Sequence, residues 1–288
     1  MKLGIVILFI SIVVQTHADE DKMPMNNDFI NFENIKGVLK KDRLEQTLKE
    51  KREADLKRKK AKEIKKKKLY SLPSRNDFWK IMIEYWLVKN ITILKWDFRK
   101  PDYGVGDYFT SFLRQVGEIG LNYKILYLNT PSITHFAFPV GHNEYLFVLS
   151  VPFIRSLDLS KLEISILLFE DMLRVKNDYF ANAFDDKMIA KLTEGNFYKQ
   201  EFPKKEIAKI LEEIDKKVFE KGFNFQEQHQ VTKSMNNILI SDKQYWQAYY
   251  GLLGKIDQLV KNNLMYKNYV KIYPSPELQM NWLNPTKN

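Results

Sequence analysis

The chain of 288 residues has no cysteine and only four histidines. The absence of cysteine excludes disulfide bridges, thiolate nucleophiles and thiolate metal sites. The small number of histidines also restricts chemistry, since acid–base catalysts and zinc centres depend heavily on imidazole. The sequence therefore offers no recognisable Ser-His-Asp or Cys-His arrangement.

Long apolar runs are absent after the N-terminus. Lys2 precedes an apolar run, Leu3–Val14, and the small residue Ala18 follows shortly after it. This order is typical of a secretory signal peptide over residues 1–18. The run is shorter than the ~20 apolar residues that span a bilayer, although an uncleaved N-terminal anchor is the alternative. The sequence predicts a secreted or periplasmic protein.

Positive charge is concentrated in one segment. Between Lys40 and Lys68 there are 15 Lys or Arg and 6 Asp or Glu, whereas the whole chain carries +10. The composition of Val38–Leu69 predicts a solvated helix of roughly 45 Å. A charged spacer is one interpretation, and binding to an anionic membrane or a cell-wall surface is the other. Because the chain is predicted to be exported, nucleic acid is not an expected partner.

The remainder has the composition of a globular domain. We predict a signal peptide (1–18), a flexible segment with the basic helix (19–74, flexible over Asp19–Gly37) and a domain (75–288). Hydrophobic spacing and β-branched runs predict secondary structure within that domain. Helices are expected over 77–88, 105–119, 162–175 and 223–260, and strands over 123–128, 134–138 and 145–149, with a turn at 139–141. These elements predict an α+β fold, mostly helical with a small sheet and a hairpin.

Several segments share their order and spacing with one enzyme family. They are His135–Gly141 (HFAFPVG), Glu144–Val148 (EYLFV), Val151–Leu157 (VPFIRSL), Leu159–Phe169 (LSKLEISILLF), Glu227–Val231 (EQHQV), Tyr249–Ile256 (YYGLLGKI) and Tyr273–Glu277 (YPSPE). In this order the chain resembles the gluzincin metallopeptidases that include HtpX, the CAAX prenyl proteases and the periplasmic BepA-like enzymes. The resemblance covers about residues 105–283 and implies a zincin-like metallopeptidase domain.

The resemblance also implies where zinc ligands would stand. Such an enzyme uses two histidines four residues apart on a helix, with a glutamate between them as general base. Phe169 and Leu173 occupy the histidine positions, Glu170 the base position and Glu227 the third-ligand position. Neither Phe nor Leu can bind zinc, so we predict no bound zinc, no other cofactor and no catalytic residue. Glu170 is then a relic, paired with a cation or with water.

Three functions are consistent with this sequence. The first is an exported pseudoprotease that binds a polypeptide or envelope protein, with an extended peptide joining an edge strand at Phe136, Ala137 and Phe138. The second is an active zinc peptidase with an unusual site made from Glu170, Glu227 and a displaced histidine. The third is a cationic protein that binds anionic surfaces through residues 40–68.

Overall fold

The computed structural model describes residues 32–41, 44–69, 74–95, 104–193, 201 and 203–283. The predicted signal peptide lies outside these residues. The described part falls into two units, with the boundary between Glu63 and Ile64. Among its helices, none combines the length and the apolar composition needed to cross a bilayer.

The N-terminal part is helical. α1 spans Phe32–Lys41 and α2 spans Leu44–Leu69. The basic helix is thus confirmed over 44–69, but the single predicted helix is two helices separated by residues 42–43, which are not described. Residues 32–37 of the segment predicted to be flexible belong to α1.

The second unit is mostly helical with one small sheet. Its helices are α3 (Arg75–Lys89), α4 (Ile91–Leu94), α5 (Val105–Gln115), α6 (Val151–Leu157), α7 (Lys161–Lys176), α8 (Asp186–Thr193), α9 (Lys204–Lys216), α10 (Phe225–Leu239), α11 (Lys243–Asn262), α12 (Tyr269–Ile272) and α13 (Pro276–Leu283). This arrangement confirms the α+β prediction and the helices expected near 77–88, 105–119 and 162–175. The helix predicted over 223–260 is two helices, because Asp242 caps α11 through the backbone amides of its first turn.

The sheet has three strands in the order β1–β3–β2. Its strands are β1 (Asn122–Leu128), β2 (His135–Gly141) and β3 (Glu144–Ser150). β3 lies in the middle, parallel to β1 and antiparallel to β2. The turn predicted at 139–141 is wrong, because β2 continues to Gly141 and the hairpin turns at His142–Asn143. Asn143 takes the positive φ of 53° that the turn requires.

α7 is the central helix of the second unit. Every residue from Glu163 to Val175 is buried, which explains the nearly continuous apolar sequence. Its start is fixed by the predicted capping box, in which Ser160 and Glu163 each bind the other's backbone amide. α5, α10, α11 and β2 all pack against α7. The charged side chains between Glu163 and Val175 therefore lie in the interior of the protein.

Candidate functional site

Three charged side chains lie together in the middle of α7. They are Glu170, Asp171 and Arg174, which are 3%, 1% and 2% exposed. Residues three or four apart lie on one side of a helix, so Arg174 reaches both carboxylates. We call these three residues, with His135, Gln228 and Gln279, the polar cluster. An unpaired ion at such depth would cost several kcal/mol, so each charge in the cluster requires a partner.

The guanidinium of Arg174 is the centre of the polar cluster. Its Nη2 donates to Glu170 Oε1 at 2.7 Å, and its Nη1 donates to Asp171 Oδ1. Gln228 Oε1 accepts from Nη2 at 2.9 Å and from Nε at 3.3 Å. The rings of Tyr273 and Phe223 lie 4.6 and 5.2 Å from the guanidinium carbon, at cation–π distance. Arg174 is thus bonded through all three nitrogens and bordered by two aromatic rings.

Two glutamines extend the cluster to neighbouring helices. Gln228 Nε2 donates to Glu170 Oε1 at 2.7 Å and to Gln279 Oε1 at 3.0 Å. Gln279 Nε2 in turn donates to the carbonyl oxygen of Pro274 at 2.9 Å. The charges of α7 therefore hold α10 and α13 in place by hydrogen bonds.

His135 connects the sheet to the cluster. Its Nδ1 lies 2.7 Å from Asp171 Oδ2, and its Nε2 lies 3.3 Å from the hydroxyl of Tyr269. The hydroxyl of Tyr273 donates to the carbonyl oxygen of His135 at 2.6 Å, and the two rings stack at 4.4 Å. β2, α7 and α12 are joined by these contacts.

The electrostatics of the cluster keep Arg174 charged. Burial alone would lower the pKa of Arg174, but the charges of Glu170 and Asp171 raise it above its ordinary value. Burial, assisted by the same carboxylates, raises the pKa of Tyr269 and of Tyr273 well above 10.0. Both tyrosines therefore remain neutral hydroxyls at physiological pH and act as hydrogen-bonding groups.

Gly222 allows the backbone before Phe223 to pass close to the backbone of Ile272. Gly222 has φ 55°, and a Cβ atom there would lie 2.1 Å from the carbonyl oxygen of Ile272. The next amide, that of Phe223, donates to this same carbonyl at 2.8 Å. Only glycine fits such an approach of two backbones at positive φ. Gly222 thus fixes Phe223 beside the guanidinium.

The polar cluster is closed to substrates. A pocket of about 280 Å³ lies beside it, lined by residues that include Thr134, His135, Phe219 and Tyr269. The imidazole of His135 is 0% exposed, so it contributes no accessible surface to that pocket. A catalytic acid or base must come within hydrogen-bond reach of the substrate. The arrangement can hold helices together and neutralise charge, and its acids and its imidazole are buried.

The predicted ligand positions on α7 do not lie in the cluster. Phe169 is 0% exposed and packs edge-on against Phe112 at 5.6 Å, and Leu173 is buried in the same apolar core. Successive helical residues point about 100° apart, so a shift of one residue selects a different side. Glu170 and Arg174, also four apart, are the pair that points into the cluster. Glu170 is indeed paired with a cation, as expected, and the cation is Arg174.

Glu227 also lies outside the cluster. Its carboxylate accepts from the backbone amide of Asn224 at the start of α10, and it lies 3.7 Å from Lys217 Nζ. The next residue, Gln228, is the one that binds Arg174. His142 is exposed in the hairpin turn, and His229 is exposed beside Phe225 and Trp282. The site proposed for an active peptidase from Glu170, Glu227 and a histidine is therefore not assembled in the described residues.

The peptide-binding edge predicted on β2 is covered. β2 does lie at an edge of the sheet, but Phe136, Ala137 and Phe138 are 1%, 3% and 0% exposed. Trp86 of α3 lies 5.1 Å from Phe138, and Phe223 stacks on Phe136 at 5.5 Å. The prediction of an accessible edge here is wrong, since a peptide would have to displace these aromatic side chains.

Sequence reasoning missed the partners that complete the cluster. Arg174 was identifiable, because it is the one cation between Leu162 and Val175, four residues after Glu170 and three after Asp171. Gln228, Gln279, Tyr269 and Tyr273 carry no such local signal, since they come from segments far along the chain. Only the fold brings them to α7.

The donor set does not suit zinc. A zinc centre needs three protein ligands with available lone pairs, commonly including more than one imidazole. Here the carboxylates of Glu170 and Asp171 bind a guanidinium, whose positive charge would repel a dication, and His135 supplies the only imidazole. Within the described ranges, no group of three His, Cys, Asp or Glu residues is arranged to hold a metal ion.

No protein-family model matches the chain, and no curated protein matches it.

Proposed function

We propose that this chain is a non-catalytic, metallopeptidase-like protein whose second unit is a binding scaffold without bound metal. The observation that carries the proposal is the buried guanidinium of Arg174 at the centre of the polar cluster. We propose that Arg174 takes the position of a zinc-binding histidine of the resembled family. In a zinc protease a dication holds the helices together through buried ligands. In this chain the guanidinium of Arg174 links α7 to Gln228 of α10, and its partner Asp171 links α7 to His135 of β2.

The correspondence with the resembled family improves when the alignment is shifted by one residue toward the C-terminus. Glu170, Asp171 and Arg174 then match the His-Glu-x-x-His positions, and Gln228 matches the third ligand. The same displacement applies on α7 and on α10, two separate helices. The arrangement of the polar cluster supports this alignment, because these four side chains meet in one place.

The proposed role is binding of a polypeptide or envelope protein, with export still a prediction from residues 1–18. The partner must use a surface other than the β2 edge, which is covered. The closed cluster favours a structural role for α7, since a buried network of paired charges fixes the relative orientation of the elements that it joins.

Rebuilding a metal site in the polar cluster tests the proposed likeness to zinc metallopeptidases. The triple variant Glu170→His, Arg174→His and Gln228→Glu restores two imidazoles and one carboxylate around Asp171. We expect it to bind one equivalent of zinc, measured by plasma mass spectrometry, and to give the visible spectrum of tetrahedral cobalt. Zinc should raise its unfolding temperature, because a ligand that binds only the folded state stabilises it.

The matched control uses the alignment first read from the sequence. Phe169→His with Leu173→His and Glu227 unchanged places both imidazoles in the apolar core, and we expect loss of stability with no stoichiometric zinc. Zinc binding by this control and not by the triple variant would overturn the displaced alignment.

The unaltered chain tests the absence of catalysis. We expect purified protein, expressed with added zinc, to contain no stoichiometric metal and to cleave no peptide. Peptide cleavage that Glu170→Gln abolishes would instead establish the active-peptidase alternative. Folding of both proteins is checked by circular dichroism, so that lost activity is not confused with lost structure.

A second candidate function is binding to an anionic surface through the basic helix. It is favoured by the exposure of α2, in which every residue from Thr47 to Lys66 is exposed to solvent. Binding that weakens steeply with salt would support it, because exposed charges are screened within about 8–10 Å at physiological ionic strength. The two candidate functions are compatible, since one concerns α2 and the other concerns α7.

A further inference from the structure

A pocket of about 460 Å³ opens beside the β2–β3 hairpin. We call it the hairpin pocket, and its walls include Trp79, Pro139, Glu144, Tyr145, Asp178 and Ile189. Its volume lies within the range of about 300–1,000 Å³ that is usual for small-molecule sites. The described residues that line it all belong to the second unit, and none of them is part of the polar cluster. The hairpin pocket is therefore a separate candidate site.

The charged side chains of the hairpin pocket are mostly acidic. Its described lining carries three carboxylates, one lysine and one histidine, which are Glu144, Asp178, Asp186, Lys176 and His142. The ammonium of Lys176 already donates to the carboxylate of Glu118. A concave surface with an excess of one charge attracts ligands of the opposite charge. The lining therefore favours a cationic ligand.

The phenol of Tyr145 offers the pocket a polar group that the protein does not use. Tyr145 stands opposite Pro139 in the hairpin and is only 7% exposed. Within the described part of the chain, its hydroxyl makes no hydrogen bond. Burial, with the charges of Glu118 and of Asp178 in the pocket wall, raises the pKa of Tyr145 above 10.0. The hydroxyl thus stays neutral beside the pocket and can accept a hydrogen bond from an N–H group.

Asp178 reaches the pocket from the end of α7. It follows the C-cap Asn177 and has a positive φ of 58°. Its amide donates to the carbonyl oxygen of Val175 at 2.9 Å, and the amide of Tyr179 donates to that of Arg174 at 3.1 Å, as in a Schellman motif. Glycine or asparagine usually takes this position. The helix end therefore does not require a carboxylate here, and Asp178→Asn removes the charge without disturbing the backbone.

The separation of the acids favours an organic cation over a metal ion. No three His, Cys, Asp or Glu residues of the described ranges are arranged to hold a metal ion, so the carboxylates of the pocket do not converge on one point. The carboxylate of Glu144 lies beside Gly141, where a Cβ atom would stand 2.9 Å from its Oε2, whereas Asp178 follows α7. Acids on different elements suit a ligand whose positive charges are also separated.

We propose that the hairpin pocket binds a small linear diamine, with its ammonium groups at the carboxylates of Asp178 and Glu144. The hydroxyl of Tyr145 accepts a hydrogen bond from one ammonium, which has three N–H donors and no acceptor. Trp79 and Ile189 supply apolar wall against which the methylene chain of the ligand is removed from water. This inference depends neither on the role proposed for the polar cluster nor on that proposed for α2.

The test titrates cadaverine, a five-carbon diamine, into the full-length chain by calorimetry at low salt. We expect a dissociation constant of about 1 mM or tighter. Tyr145→Phe and Asp178→Asn should each weaken binding about three- to fivefold, the size of a solvent-accessible charged contact. Asp158→Asn is the matched control, since Asp158 is exposed, has φ 47° and does not line the pocket. All three variants should keep the unfolding temperature within about 2 °C.

Three further probes define the ligand. Pentane-1,5-diol has the length of cadaverine without its charge, calcium is a single dication, and N-acetyl-lysine methylamide presents the one ammonium of a polypeptide lysine. We expect each to bind more weakly than cadaverine. Tighter binding of any of them would overturn the assignment to a diamine. No binding of cadaverine at about 10 mM, or a loss in Asp158→Asn equal to that in the two pocket variants, would overturn the site itself.

Discussion

α2 and α7 both carry charged residues, but they place them in opposite environments. From Thr47 to Lys66, α2 exposes every side chain, whereas from Glu163 to Val175, α7 exposes none. On α7 each charge has a partner at a defined distance, such as the 2.7 Å between Arg174 and Glu170. In water a charge needs no partner, and in the interior it does. Charge on α2 is therefore free to meet a ligand, while charge on α7 is committed to the fold.

The largest effect is expected from a matched pair of arginine substitutions. Arg174→Met leaves Glu170 and Asp171 buried without a cation, and breaking such a pair costs about 3–5 kcal/mol. Arg58→Met on α2 removes an exposed charge, and its effect should stay within about 0.5 kcal/mol. Urea unfolding measures both. Similar losses of stability in the two variants would contradict the division between buried and exposed charge.

A smaller loss of stability is expected when Gln228 is substituted. Gln228→Leu removes the acceptor of Arg174 and a donor to Glu170, which leaves buried polar groups unpaired at a cost of about 1–3 kcal/mol. Gln230→Leu, two residues along the same helix and exposed, is the control and should change stability little. If both variants unfold at the same urea concentration, the glutamine is not an essential part of the polar cluster.

Glu163 at the start of α7 should make a pH-dependent contribution to the free energy of unfolding. Burial alone would raise the pKa of Glu163, but its bond to Lys255 Nζ at 2.7 Å and those to Ser160 lower it below 4.5. A carboxyl whose pKa is lowered by folding stabilises the fold above its ordinary pKa, and this contribution is lost as the pH falls through the lowered value. Lys255 is largely solvated, so the contribution is at most about 1 kcal/mol.

The contribution of the Glu163 carboxylate is measured by comparing the unfolding free energies of Glu163→Gln and of the unaltered chain between pH 7 and pH values below 4.5. We expect the two unfolding free energies to differ at pH 7 and to converge as the pH falls below 4.5. A difference that stays constant down to the lowest pH at which both proteins fold would show that the charge of Glu163 does not stabilise the helix start.

The smallest change in stability is expected when Lys217 is substituted. Its ammonium lies 4.4 Å from the ring of Phe223, and burial, against the influence of Glu227, lowers the pKa of Lys217 below 10.5. A lysine whose pKa is lowered by folding costs stability at neutral pH, and the cost disappears as the pH rises through 10.5. Lys217→Met should thus raise the unfolding temperature slightly at pH 7. A clear decrease, compared with an unchanged Lys59→Met on α2, would mean that the ammonium is net stabilising.

Local signals in the sequence were enough for much of the fold. The capping pair Ser160 and Glu163 fixed the start of α7, and β-branched and aromatic residues identified the three strands within one residue at each end, except that β2 continues three residues beyond the predicted end at 138. The turn was misplaced because Pro139 can stay within an edge strand, and the positive φ belongs to Asn143. Such errors are local and small.

The candidate site was harder to predict because it depends on distant contacts. The residues singled out on α7, Phe169 and Leu173, lie one position before Glu170 and Arg174, and one position turns a helix by about 100°, away from the polar cluster. The cover over β2 comes from Trp86 and Phe223, which are remote from the strand in sequence. No spacing rule links Gln228 or Gln279 to α7, so only the folded chain reveals the polar cluster.

The burial of Glu163–Val175 in α7 has a consequence for the timescale on which its amide hydrogens exchange with solvent. Since Glu163–Val175 is buried and packs against several other elements, we expect its amides to open only when the second unit unfolds as a whole. In heavy water these hydrogens should be the last to be replaced, while those of the exposed α2 exchange first. The exchange rate of α7 then reports the global stability of the unit, residue by residue and without denaturant.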